Sequence, residues 1–121
     1  MNIIHVGLGI RGRHWLEIVR DYPYGTSVAC IDPEPRALDW VRTHFSNLKH
    51  ACYEDLDKAL KNIKADAAII SSPPAFHATH AIVALEAGLA VMIEKPFATS
   101  VAEGARIASQ ELWGLRLSQG A

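Results

Sequence analysis

Gly7, Gly9 and Gly12 fall as Gly-x-Gly-x-x-Gly between an apolar run, Ile3-Ile4-His5-Val6, and a stretch with helical apolar spacing, His14-Trp15-Leu16-Glu17-Ile18-Val19. A second apolar run, Val28-Ala29-Cys30-Ile31, ends in an acid, Asp32, twenty residues after Gly12. Three glycines alone say little. Strand, glycine turn, helix, strand and acid in this order constrain the chain to a dinucleotide-binding βαβ unit. Gly7 can take the backbone conformation of a tight turn, Gly9 leaves room for a pyrophosphate against the main chain, and Gly12 lets the helix approach the sheet. The first amides of that helix, from Ile10 and Arg11 onward, have no intrahelical partners and suit an anion. Asp32 is placed to accept hydrogen bonds from ribose hydroxyls, and its charge would repel a 2′-phosphate, which favours NAD over NADP.

Strand and helix signals alternate along the rest of the chain. Helices are expected over about 11–21, from Asp32-Pro33-Glu34-Pro35 to about Phe45, over about 55–63, 75–87 and 101–112. Strands are expected at about 27–31, around His50-Ala51-Cys52-Tyr53, over 65–71, 90–94 and, briefly, Leu115–Ser118. Gly88 is read as the cap that ends the fourth helix. The alternation predicts one α/β domain over residues 1–121, with a doubly wound, mostly parallel sheet and helices on both faces.

Composition excludes several classes. With 121 residues, half of them hydrophobic, the chain can bury one core. A formal net charge of −1 without a basic cluster gives no footprint for nucleic acid. Two cysteines, Cys30 and Cys52, are too few for a disulfide scaffold and read as reduced core residues. No apolar stretch reaches membrane-spanning length and the first strand leaves no room for a signal peptide, so a cytoplasmic protein without membrane partners is expected. His77 and His80 stand one helical turn apart, but no Asp, Glu or Cys nearby completes a metal set. Ser71-Ser72 lacks the elbow of a serine hydrolase. The tryptophans are read as packing residues, and His5 as structural or solvent-facing.

Two later segments are more specific. Ile69-Ile70-Ser71-Ser72-Pro73-Pro74-Ala75-Phe76-His77 is a strand ending in a proline pair with a histidine three positions on, and Gly88-Leu89-Ala90-Val91-Met92-Ile93-Glu94-Lys95-Pro96 runs from glycine through a strand into Glu-Lys-Pro. With Tyr53-Glu54-Asp55-Leu56, these make nearly the whole chain resemble the N-terminal NAD(P)-binding Rossmann domain of the glucose–fructose oxidoreductase, inositol dehydrogenase and MocA (Gfo/Idh/MocA) family. The resemblance implies hydride transfer on sugars, cyclitols or related polyols. It places Lys95 beside nicotinamide and substrate as a catalytic residue, and makes Glu94 and Pro96 the shapers of its loop. It also brings Gly7, Leu8, Gly9, Ile10, Arg11, Gly12, Asp32, Ser71, Ser72, Pro73, Pro74 and His77 to the cofactor. Pro74 stands where relatives often carry Asn, and Arg36 lies where relatives approach the adenosine, leaving some tolerance for NADP. From the residues alone, a lysine at a parallel strand's C-terminal end lies in the ligand crevice, where a neighbouring positive nicotinamide would favour its neutral, proton-accepting form.

The family's second, α+β domain, which carries substrate-binding groups, is not found in these residues. The chain is therefore expected to bind cofactor without appreciable turnover by itself, acting with a separate substrate domain or as a homo-oligomer through an apolar surface around Trp113. The alternative is a non-catalytic module that senses NAD(H) or contacts a partner protein.

Overall fold

In this computed structural model, residues 1–94 are described. The expected helix over 101–112, the strand at 115–118 and the surface around Trp113 lie outside them, as do Lys95 and Pro96.

The glycine turn is built on β1 (Asn2–Val6), whose last four residues are buried. It leads into α1 (Ile10–Arg20), followed by β2 (Thr26–Ile31), α2 (Pro35–His44), β3 (Cys52–Tyr53), α3 (Leu56–Asn62), β4 (Ala67–Ile70), α4 (His77–Glu86) and β5 (Ala90–Ile93). The strands pair in parallel in the order β3-β2-β1-β4-β5. Such a sheet must be covered on both faces, and strand side chains alternate between them. Ile4 and Val6 of β1 face Leu56, Ala59 and Ala84 of α3 and α4. Ile3 faces Val19 and Trp15 of α1. On the same face of the sheet Cys30 meets Leu16 of α1 and Ala37, Leu38 and Val41 of α2. The doubly wound α/β arrangement read from the sequence is thus the observed one.

Local chemistry sets the helix ends. Pro35 opens α2, and the Glu34 side chain accepts from the Arg36 amide. Asp55 caps α3 by accepting from the Lys58 amide at 2.8 Å. Beyond α4, Gly88 has φ of +87°, and the Gly88 and Leu89 amides turn back to the carbonyls of Leu85 and Ala84.

Two of the boundaries that differ from the sequence expectation have clear local causes. The third strand shrinks to Cys52–Tyr53 because a 3-10 turn, Ser46–Leu48, draws the chain inward: the amides of Lys49 and Ala51 bond to Ser46 and Leu48 instead of to a strand. The fourth helix begins at His77 and not at Ala75. Pro74–Phe76 form a separate 3-10 turn after Pro73, whose carbonyl accepts from the Phe76 amide.

Candidate functional site: a cleft at the sheet's switch point

Strand β1 has β2 on one side and β4 on the other, so successive connections leave it in opposite directions. In open parallel sheets such a point leaves a crevice at the strands' C-terminal ends. A cleft of about 740 Å³ occupies it here, lined by the ends of β1, β2, β4 and β5 through Gly7, Asp32, Ser71 and Glu94.

The glycine turn forms the floor. Gly7 has φ of +93°, and a β-carbon there would lie 2.4 Å from the Ser72 nitrogen. One on Gly12 would lie 1.9 Å from the Gly7 carbonyl oxygen, so α1 rests directly on the turn. One on Gly9 would meet nothing within 4 Å, leaving the backbone open toward the cleft. Gly9 precedes α1 without a side-chain cap, so the first-turn amides of Ile10, Arg11 and Gly12 lack an intrahelical partner, and Ile10 and Arg11 line the cleft. Leu8 is held through both of its backbone polar groups: its N–H donates to Asp32 Oδ2 at 2.9 Å, and its carbonyl accepts from Arg13 Nε at 3.0 Å. The Arg13 guanidinium in turn lies over the Trp40 ring.

Asp32 closes the β2 end. Its second oxygen accepts from the Glu34 amide at 2.9 Å, and a carboxylate has lone pairs to spare beyond these two bonds. Glu54, Asp55 and Asp57 reach the same cleft from the start of α3, adding acidity to this rim. Arg36 is exposed on α2 and is not part of the lining, so the side chain that suggested NADP tolerance stays outside the cleft.

On the opposite wall, Ser71, Ser72, Pro73 and Pro74 all line the cleft. The Ser71 hydroxyl is buried and has no hydrogen-bond partner among the described residues. His77 lines the cleft too but is only 1% exposed, its Nε2 bonded to the Ser72 carbonyl at 2.6 Å. Glu94 receives the Arg11 guanidinium at 3.2 Å and the Trp15 indole N–H on one carboxylate oxygen. This gives Trp15, read from the sequence as packing, a polar tie to the cleft.

Among the described residues, no group of three or more His, Cys, Asp or Glu side chains is placed to hold a metal ion. Burial, with a smaller contribution from His77, lowers the His80 pKa. His5 is buried, bonds Ser27 Oγ at 2.7 Å, and burial lowers its pKa to about 4. Burial raises the Cys30 thiol well above its ordinary value, so it stays protonated. No helix among the described residues is long and apolar enough to cross a membrane.

Residues 1–111 match the model of the Gfo/Idh/MocA oxidoreductases, described as an oxidoreductase family with an NAD-binding Rossmann fold. The chain belongs to that family. It is 34% identical over 80 residues to a 1-carboxy-3-chloro-3,4-dihydroxycyclohexa-1,5-diene dehydrogenase of Comamonas testosteroni, covering 66% of this chain and 20% of that one. The scyllo-inositol dehydrogenase structure from Lactobacillus casei superposes with a TM-score of 0.86 at 26% identity, covering 96% of this chain and 34% of the other. A WlbA dehydrogenase from Chromobacterium violaceum, solved with NADH and UDP-GlcNAcA, gives 0.82 at 25% identity, over 95% and 33% of the two chains. The chain spans about a third of the length of the first relatives it matches.

The cleft fits the family's NAD on its own features: an open backbone at Gly9, first-turn amides of α1 without an intrahelical partner, an acid at the end of β2 and an orphaned hydroxyl on Ser71.

Proposed function

We propose that residues 1–121 are the dinucleotide-binding part of a dehydrogenase that moves hydride between NAD(H) and a CH–OH group of a sugar, cyclitol or related polyol. The observation that carries this reading is the shared cleft: the capless α1 N-terminus and the Asp32 carboxylate open into one space at the switch point. Bound there, NAD supplies the hydride acceptor. The amides of Ile10, Arg11 and Gly12 hold its pyrophosphate, Asp32 accepts from its adenosine ribose, and Ser71 through Pro74 wall its farther half. Asp32 with the acidic rim of Glu54, Asp55 and Asp57 favours NAD over NADP. Lys95, which follows Glu94 directly, is the proton-carrying group. The cyclitol dehydrogenase among the similar structures supports the substrate class.

Turnover also needs a polyol oriented against the nicotinamide and water kept away. Those tasks fall to a substrate domain, in the same polypeptide or in a partner chain, and residues 1–121 alone bind cofactor without appreciable turnover. Calorimetric titration with NAD, NADH, NADP and NADPH tests this, alongside a nicotinamide-absorbance assay with inositols and sugars. Binding of NAD(H) near the micromolar range, weaker NADP(H) and no turnover are expected. Absence of binding by all four would refute the reading, and tighter NADPH binding would refute the role of the acidic rim.

A further inference from the structure

The two histidines that the sequence sets one helical turn apart share a single target. His80 Nδ1 lies 2.8 Å from Ser72 Oγ, and His77 Nε2 lies 2.6 Å from the Ser72 carbonyl oxygen. Ser72 is 7% exposed and directly backs the glycine turn, since the space a Gly7 side chain would need is taken by the Ser72 nitrogen and α-carbon. Phe76 stacks on the His80 ring, with ring centroids 6.0 Å apart, and both residues line the cleft. A line of contacts thus runs from the first turns of α4, through Ser72, to the turn on which the α1 N-terminus depends.

We infer that His80 is a positioning residue for the cofactor: with His77 it clamps Ser72 at two points, and Ser72 fixes the Gly7 turn in its dinucleotide-accepting shape. This deepens the proposed function and rests on it. The clamp acts on population. If the Ser72 segment is seated only part of the time, apparent affinity falls by that fraction. Losing one buried hydrogen bond shifts such an equilibrium by about tenfold.

The test compares the parent chain with His80→Ala and His80→Asn, using NADH as the probe. The asparagine amide can occupy the place of Nδ1 and keep the bond to Ser72 Oγ. For a parent segment seated between about half and about nine-tenths of the time, that shift makes His80→Ala bind NADH about two- to fivefold more weakly, and His80→Asn should match the parent. The Gly7 and Ser72 amide resonances should move in His80→Ala and return in His80→Asn, a rescue that a purely space-filling role of the ring would not produce. If His80→Ala does not fold, Ser72→Ala removes the same bond from its other end and should give the same loss. Parent-like NADH affinity in the alanine variant, or equal weakness in His80→Asn, overturns the clamp. A parent chain that binds no NADH overturns the cofactor reading itself, and with it this role.

Discussion

Replacing Gly12 with alanine sets a helix against a turn. The added β-carbon would lie 1.9 Å from the Gly7 carbonyl oxygen and 2.8 Å from the Gly7 carbonyl carbon, both backbone atoms that cannot rotate away. To restore contact distance α1 must recede by roughly 1 Å, and overpacking of this kind costs about 1–3 kcal/mol. Alanine's better helix propensity returns at most about 1 kcal/mol. With that full return the net loss is up to about 2 kcal/mol, which should lower the melting temperature by up to roughly 10 °C for a domain of this size. Gly9→Ala is the internal control, because its β-carbon meets nothing within 4 Å. It should cost less than about 1 kcal/mol as a poorer N-cap. By putting a methyl group where the proposed function places the pyrophosphate, it should still weaken NADH binding by at least about tenfold. Circular-dichroism melts and NADH calorimetry on both variants separate the two effects. A Gly12→Ala chain that melts above the parent would mean that α1 does not rest on Gly7. A Gly9→Ala chain with parental affinity would mean that no anion approaches the turn there.

Asp32→Ala removes the acceptor for the Leu8 and Glu34 amides as well as the proposed ribose ligand, so calorimetry should show NADH affinity falling by about ten- to hundredfold, with less discrimination against NADPH. For His5, the unfolded chain takes up a proton near 6.5, whereas the folded chain resists until about 4. Its contribution to stability is complete above 6.5 and is lost between 6.5 and 4, by roughly 3 kcal/mol. Urea unfolding at several pH values should show this decline in the parent and less of it in His5→Gln; equal declines would contradict it. Leu16, 1% exposed between α1 and the sheet, should cost about 2–5 kcal/mol on truncation to alanine, read from the urea midpoint.

The parallel sheet was legible because its signals are local. Continuous apolar runs marked β1, β2 and β4, and glycines and prolines marked the turns between them. The glycine turn was legible for the same reason, since all its parts lie between Gly7 and Gly12. What sequence spacing could not show is which distant side chains meet. Trp15 and Glu94 are 79 positions apart, and only the packing of α1 across β1 and β4 brings the indole to the end of β5. Glu54 and Asp57 join the cleft because α3 starts beside the end of β2, although the family pattern at Tyr53–Leu56 had marked the neighbourhood. The spacing of His77 and His80 was visible, but its use was not: one shared serine, five and eight residues upstream, decides it.

The most direct test of the cleft is to titrate isotope-labelled protein with NADH and follow backbone amide resonances. Gly9, Ile10, Arg11, Gly12, Asp32, Ser71 and Ser72 should shift together, while Tyr22 to Gly25 at the opposite end of the sheet stay fixed. Shifts confined to another surface, or none at saturating NADH, would contradict a dinucleotide site at the switch point between β1 and β4.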